Sequence, residues 1–172
     1  MEELRKLRHD MRHYALLSGA PSPSSGTEGD GVIGALVEHY SGLAAKLGVT
    51  ADLGLRFDGC GEELVADLCL VLSNLLENAV EALRGQENGW LRGRSYCAEG
   101  YVSLVIGNSC AARLRRRHGA YLSGKARGRA GLGLATVQDV ARRHGGKAVF
   151  RSDGRMFTAS VFIPKRIATD EP

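Results

Sequence analysis

The sequence lacks any long uninterrupted apolar segment. Its 172 residues contain no run of about 18 apolar residues, the minimum that suggests a transmembrane helix. The N-terminal residues are charged and lack the apolar core of a secretion signal. We therefore expect a chain without a membrane segment and with a cytoplasmic location.

Cysteine is scarce, and its spacing does not match common metal-binding motifs. Cys60, Cys69, Cys97 and Cys110 are scattered, with no Cys-x-x-Cys pair and no pattern shared with histidine. They are interpreted as reduced core or surface thiols, which suits a cytoplasmic protein. A cysteine-based zinc site is therefore not expected.

Acidic residues are missing from the segment 109–130, which contains seven arginine and lysine residues. The net charge of the whole chain is +4, so the remaining residues carry −3. Such a local basic segment suggests a solvated face or a nucleic-acid patch. Tyr121 is its only aromatic residue, which argues against stacking on single-stranded nucleic acid.

A helical stretch over residues 62–83 organises the rest of the pattern. Its apolar residues recur at helical spacing, which predicts one buried face. These residues are Leu68, Leu72, Leu75, Leu76, Ala79 and Leu83. Asn74 and Asn78 are four residues apart and share another face of the helix. Carboxamides beside a core are unfavourable unless they meet a ligand, an ion or each other, and two solvated asparagines are the simpler alternative.

A glycine-containing run, 131–134, opens a second amphipathic helix that ends at Gly145 and Gly146. Glycines at a helix N-terminus allow phosphate to approach backbone N–H groups, where the helix dipole favours an anion. A single Gly-x-Gly is weak evidence. Its position after the Asn-x-x-x-Asn helix, two candidate strands and the basic segment is more specific.

The two motifs together resemble the N box and the second glycine box of GHKL-superfamily nucleotide-binding domains, at 74–79 and 131–134. The resemblance covers about residues 31–164. Within the superfamily it is to sensor histidine kinases, in the branch that includes peptide-quorum sensors. It implies ATP and Mg²⁺ as cofactors, with Asn78 as the metal ligand. The implied nucleotide-binding residues are Asn74, Asn78, Asn108, Lys125, Gly131, Leu132, Gly133 and Leu134.

Asn108 follows the strong candidate strand 101–106. Most of the superfamily has an aspartate there, which accepts a hydrogen bond from the adenine amino group, and an amide oxygen can accept the same bond. A turn asparagine is the alternative. The resemblance also implies that the basic segment is a lid over the nucleotide, with Lys125 near the terminal phosphate.

A short helix is predicted over residues 2–18, and it carries His9 and Asp10. A solvated charged helix explains this pattern, but the segment also resembles the phosphoacceptor motif of the same kinase branch. That resemblance implies that His9 accepts the phosphoryl group and that Asp10 acts as the base. The chemistry is reasonable because a neutral imidazole is nucleophilic and an adjacent carboxylate can orient it.

The predicted organisation has four parts. They are a phosphoacceptor-like helix at 1–18, a Pro/Ser/Gly-rich linker at 19–31, the ATP-binding domain at 32–166 and a polar tail at 167–172. Related kinases have a second long dimerisation helix where this chain has the linker, so we expect a truncated phosphoacceptor region. The order of elements predicts an α+β two-layer sandwich, with helices on one face of a mixed sheet of about five strands.

The reaction type follows from one position. GHKL hydrolases place a water-activating glutamate four residues before the metal-binding asparagine, but this chain has Asn74 there, and an amide is not a general base. Glu77 points off that face. We therefore expect phosphotransfer to His9 and then to a response regulator, with a homodimer as a candidate assembly and no nucleic acid partner. The alternatives are a non-catalytic nucleotide-binding regulator and an anti-sigma-type serine kinase.

Overall fold

The structure is a computed structural model of the chain. It describes residues 28–110, 115–117, 120–122 and 132–165. Four of the predicted site residues lie outside these ranges: His9, Asp10, Lys125 and Gly131. The predicted phosphoacceptor helix and the polar tail also lie outside the described residues.

Three helices and seven strands form the described part of the chain. The helices are α1 (Glu28–Lys46), α2 (Glu62–Leu83) and α3 (Leu132–Arg143). The strands are β1 (Thr50–Gly54), β2 (Trp90–Cys97), β3 (Tyr101–Ser109), β4 (Arg115–Arg117), β5 (Ala120–Leu122), β6 (Lys147–Ser152) and β7 (Met156–Pro164). None of the described helices is both long enough and apolar enough to cross a membrane.

Five strands form one mixed sheet in the order β1-β2-β3-β7-β6. The β1–β2 pair is parallel, and the other neighbouring strands are antiparallel. Buried and more exposed residues alternate along β7, as expected for a sheet with one face against the core. This architecture confirms the predicted α+β sandwich with a five-stranded mixed sheet.

Helix α2 is the centre of the core. It packs against α1, α3 and β3. Its buried residues are Leu64, Leu68, Val71, Leu72, Leu75, Leu76, Ala79, Val80 and Leu83. Because this apolar face holds the helix in place, the polar face that carries the two asparagines has a fixed position beside α3.

The turn after α3 requires glycine for a steric reason. A Cβ built at Gly146 would lie 2.0 Å from the carbonyl oxygen of Phe162 in β7. No side chain fits at that distance, so Gly146 allows the chain to pass directly against the sheet as it enters β6.

Several boundaries differ from the sequence prediction. Helix α1 begins at Glu28 and so includes the last residues of the predicted linker, and the predicted strand 101–106 extends to Ser109 as β3. The basic segment contains β4 and β5, which pair as an antiparallel hairpin. Pairing gives the backbone N–H and C=O groups of this segment partners without a helix.

Two of the cysteines are joined. Cys60 and Cys97 form a disulfide whose Cα atoms are 6.1 Å apart. The interpretation of all four cysteines as reduced thiols is therefore wrong for this pair. The two residues are 37 positions apart, and they meet only because the loop before α2 lies against the end of β2.

Candidate functional site

The two asparagines of α2 are half-buried on one face of the helix. The Nδ2 atom of Asn74 donates a hydrogen bond of 2.7 Å to the carbonyl oxygen of Leu70. This bond fixes the orientation of the amide because its donor side is engaged by the helix backbone. Oδ1 of Asn74 is the acceptor that remains for other groups.

The first turn of α3 lies directly against Asn74. A Cβ built at Gly133 would be 2.9 Å from Oδ1 of Asn74. Real Cβ atoms essentially never lie this close to another heavy atom, so the contact between the two helices depends on glycine at this position. The structure thus brings the asparagine motif and the glycine motif together.

The leucines on either side of Gly133 have different surroundings. The side chain of Leu134 is buried, and it anchors α3 in the core together with Val137. Leu132 is 64 % exposed, and Leu70, one turn before Asn74, is 41 % exposed. Exposed apolar side chains beside a few fixed polar groups are typical of small-molecule sites.

Asn108 is a strand residue on the helix-facing side of the sheet, where it pairs with Leu91 on one side and Phe157 on the other. It is 0 % exposed. Its Nδ2 donates a hydrogen bond of 2.8 Å to the carbonyl of Ser109, but its Oδ1 has no partner within the described residues. The turn alternative is therefore wrong, and the buried acceptor needs a donor.

Ser109, next to Asn108, accepts several hydrogen bonds. Its carbonyl also accepts a hydrogen bond from Nε2 of Gln86 at 3.4 Å, and its hydroxyl oxygen accepts one from the backbone N–H of Trp90 at 3.1 Å. Sequence reasoning did not identify Gln86 or Ser109. Gln86 lies just beyond α2 and Ser109 ends β3, so no spacing rule connects them.

The C-terminal end of α3 is tied to α2 by an ionic cluster. Asp67 contacts Nε2 of His144 at 2.7 Å and Nη2 of Arg143 at 2.9 Å. No local sequence pattern connects His144 with this partner, because Asp67 is 77 positions away. Together with the Asn74–Gly133 contact, this cluster holds both ends of α3 against α2.

The donor set of the site fits a metal ion that binds together with phosphate. No group of three or more His, Cys, Asp or Glu side chains suited to a metal occurs in the described part of the chain. Asn78 has an amide oxygen, a ligand type that Mg²⁺ accepts. Because Mg²⁺ usually keeps several waters and binds phosphates with one or two protein oxygens, Asn78 fits as such a ligand.

Glu77 does not provide a carboxylate on the same face as the asparagines. Its side chain is exposed, and its charge affects a residue of α1. Burial, and then the charge of Glu77, raise the pKa of Tyr40 above its ordinary value. Asn74 and Asn78 therefore place two amides on this face of α2, whereas the charge of Glu77 acts on a different helix.

These features define an α+β sandwich of the histidine-kinase ATPase fold, in which an asparagine-bearing helix meets a glycine-opened helix beside a buried acceptor. The chain belongs to the GHKL domain family, whose model matches residues 64–164. No curated protein matches the chain.

Solved structures of histidine kinases share this fold. The mycobacterial sensor histidine kinase MprB matches with a TM-score of 0.53 at 18% identity, over 77% of this chain and 95% of that one. The catalytic domain of histidine kinase ThkA gives 0.56 at 21%, over 77% and 94%. The histidine kinase domain of the blue-light activated kinase of Erythrobacter litoralis gives 0.62 at 14%, over 86% and 66%. At these identities the likeness establishes the fold.

Proposed function

We propose that this chain is the catalytic region of a histidine kinase that binds ATP with Mg²⁺. The observation that carries the proposal is the buried Oδ1 of Asn108, which has no donor within the described residues. An adenine amino group is a donor of the kind this oxygen lacks. Leaving such an acceptor without a partner costs about 1–3 kcal/mol, and a bound base would remove that penalty.

The phosphate end of the nucleotide belongs at the start of α3. Gly133 allows the first turn of α3 to lie against Asn74 of α2, and the N-terminal N–H groups of a helix attract anions. Leu132 and Leu134 contribute their backbone groups to this region. Gly131 and Lys125 extend the proposed phosphate contacts, and the support for these two residues is their match to the family motif.

Asn78 is the proposed metal ligand. Its amide oxygen would hold Mg²⁺, and the ion would supply charge neutralisation for phosphoryl transfer. Asn74, four residues earlier, orients groups by hydrogen bonding and cannot remove a proton from water. This favours transfer to a protein acceptor over hydrolysis of ATP.

The proposed acceptor is His9, with Asp10 as the neighbouring base. The support is their match to the phosphoacceptor motif of the kinase branch that the chain resembles. The γ-phosphoryl group moves to an imidazole nitrogen, and an aspartate of a response regulator then receives it. A response regulator and a second copy of this chain are the proposed partners.

Incubation with γ-labelled ATP and Mg²⁺ tests this function. The expected result is an acid-labile, base-stable label on the wild-type chain that is absent from His9→Ala. His13→Ala is the matched control, because it removes the other histidine of the same predicted helix and is expected to keep the label. If the wild-type chain binds ATP but acquires no label, the kinase function is wrong and a nucleotide-binding regulator replaces it.

A further inference from the structure

The two residues of the Cys60–Cys97 disulfide differ in their burial. Cys60 lies two residues before α2 and is 3 % exposed, whereas Cys97 ends β2 and is half-buried. Their Cα separation of 6.1 Å is one that disulfides commonly have. Because Cys97 is the less buried of the two residues, we expect a thiol from solvent to reach Cys97 rather than Cys60.

A positive charge lies beside the sulfur of Cys97. Lys165, the residue after β7, places its Nζ 3.5 Å from Sγ of Cys97. An adjacent ammonium group stabilises a thiolate relative to a thiol. Cys97 is therefore a better leaving group when a second thiol resolves a mixed disulfide on Cys97, and it carries more thiolate for the reverse reaction.

The same lysine also links the two segments without using the disulfide. Its Nζ donates a hydrogen bond of 2.7 Å to the carbonyl of Gly59 and another of 2.7 Å to the carbonyl of Ala98. Gly59 precedes Cys60, and Ala98 follows Cys97. Because this bridge does not depend on the bond between the sulfurs, it keeps the two thiols close after reduction and favours re-formation of the disulfide.

The other cysteines provide an internal comparison. Burial raises the pKa of the Cys69 thiol, which lowers its thiolate fraction near neutral pH. Cys110 takes no part in the disulfide. Cys69 should therefore react more slowly with small thiols and disulfides than Cys97.

We propose that Cys97 is a site of reversible thiol–disulfide exchange with low-molecular-weight thiols and their disulfides. A small-molecule thiolate attacks Sγ of Cys97, the bond between the two protein sulfurs breaks, and Cys60 leaves as a thiolate that takes up a proton. A second thiol attacks the small-molecule sulfur of the mixed disulfide and releases the Cys97 thiolate. One protein disulfide is reduced to two thiols, and two small thiols are oxidised to one disulfide.

The direct test equilibrates the full chain in buffers of different glutathione to glutathione disulfide ratio. The thiols are then trapped with iodoacetamide, and the cysteine-containing peptides are measured by mass spectrometry. We expect the Cys60–Cys97 disulfide to form and disappear reversibly as a two-electron couple while circular dichroism remains native. A disulfide that reacts only when the chain unfolds, or reduced thiols that do not re-form it, would overturn the proposal.

Four variants test which sulfur reacts and what Lys165 does. In Cys60→Ser, glutathione disulfide should leave a stable adduct on Cys97, whereas Cys97→Ser should give no adduct on Cys60. Adding Lys165→Met to Cys60→Ser should slow the adduct about fivefold or more, and Lys165→Arg should keep the rate within about twofold, because arginine retains the charge. An adduct on Cys60, or equal rates of adduct formation for Lys165→Met and Lys165→Arg, contradicts the proposed roles of Cys97 and Lys165. The exchange experiment on the wild-type chain does not depend on how any variant folds.

Discussion

At the residue scale, Asn108 connects sequence, structure and proposed base recognition. The sequence marked the position but left two interpretations, because Gly-Asn after a strand is also turn chemistry. The structure extends β3 to Ser109 and buries the side chain. The hydrogen bond from Nδ2 to the Ser109 carbonyl fixes the amide with its acceptor directed elsewhere, an orientation that spacing alone does not give.

This orientation predicts base selectivity. Adenine presents an amino donor where guanine presents a carbonyl acceptor, so we expect ATP to bind at least about tenfold more tightly than GTP. Asn108→Asp should keep this preference, and Asn108→Ala should reduce it severalfold. Isothermal titration with each nucleotide measures both constants, and equal affinities for ATP and GTP in the wild-type chain would contradict the assigned role of Asn108.

A second residue-scale prediction concerns the ion pair between Asp52 and Arg94 at one edge of the sheet. The hydrogen bond from the Arg94 guanidinium holds the pKa of the Asp52 carboxyl below its ordinary value. Because the folded pKa is the lower one, the pair stabilises the fold above the unfolded-state pKa and loses this effect as the pH falls through the folded pKa.

Asp52→Asn should therefore lower the free energy of unfolding by at most about 0.5 kcal/mol at neutral pH, since both side chains are partly exposed and the interaction is screened. The difference should shrink as the pH falls below the ordinary carboxyl pKa of 3.8. Urea unfolding of both proteins at neutral and acidic pH measures it. A difference that grows on acidification would show that the sign is wrong.

At the element scale, the strongly periodic segments were predictable and the basic segment was not. Helix α2 has the predicted bounds, because its apolar residues form one continuous face. The β4–β5 hairpin has no such signal, since arginine dominates the first strand and alternation of apolar residues is absent. Its pairing depends on partners that a local pattern does not reveal.

The contact between α2 and α3 predicts a sign change in a pair of mutations. Gly133→Ala should destabilise the chain by about 1 kcal/mol or more, because the new methyl group meets Oδ1 of Asn74. In an Asn74→Ala background the acceptor is gone, and alanine is the better helix former, so the same change should no longer destabilise.

Denaturant unfolding of the wild type, both single variants and the double variant measures this coupling. Gly145→Ala is a useful comparison, because its backbone has a φ of 73° but no neighbouring atom blocks a Cβ. Its destabilisation should be the same with and without Asn74. Additive effects of the Asn74 and Gly133 substitutions would contradict the observed packing.

At the scale of the whole molecule, the order of elements predicted the two-layer sandwich. The contacts between residues far apart in the sequence could not be predicted from it. Asp67 with His144, and Cys60 with Cys97, are brought together only after the sheet and helices have assembled. The cysteine spacing carried no metal or redox motif, so sequence reasoning assigned reduced thiols. The asparagines and the glycine of the proposed site were predicted from sequence motifs. The hydrogen-bonding residues around Asn108 were identified only from the fold.

The disulfide predicts a stability difference for the entire domain. Its two ends are 37 residues apart, and closing a loop of that size in the unfolded chain stabilises the folded state by about 3–4 kcal/mol in the chain-entropy description. The reduced wild type and the Cys60→Ser/Cys97→Ser double variant should both lose this amount in chemical unfolding. The double variant should be insensitive to reductant, and an equally stable reduced wild type would show that the disulfide contributes nothing.

The most direct measurement of the central claim is calorimetric titration of ATP into the full chain, with Mg²⁺ and with a chelator, for wild type and Asn78→Ala. We expect Mg²⁺ to tighten ATP binding to the wild type and to have a much smaller effect on ATP binding to Asn78→Ala. Both proteins should bind metal-free ATP with similar affinity. No binding of ATP by the folded wild type, or the same response to Mg²⁺ in both proteins, would contradict the proposed site.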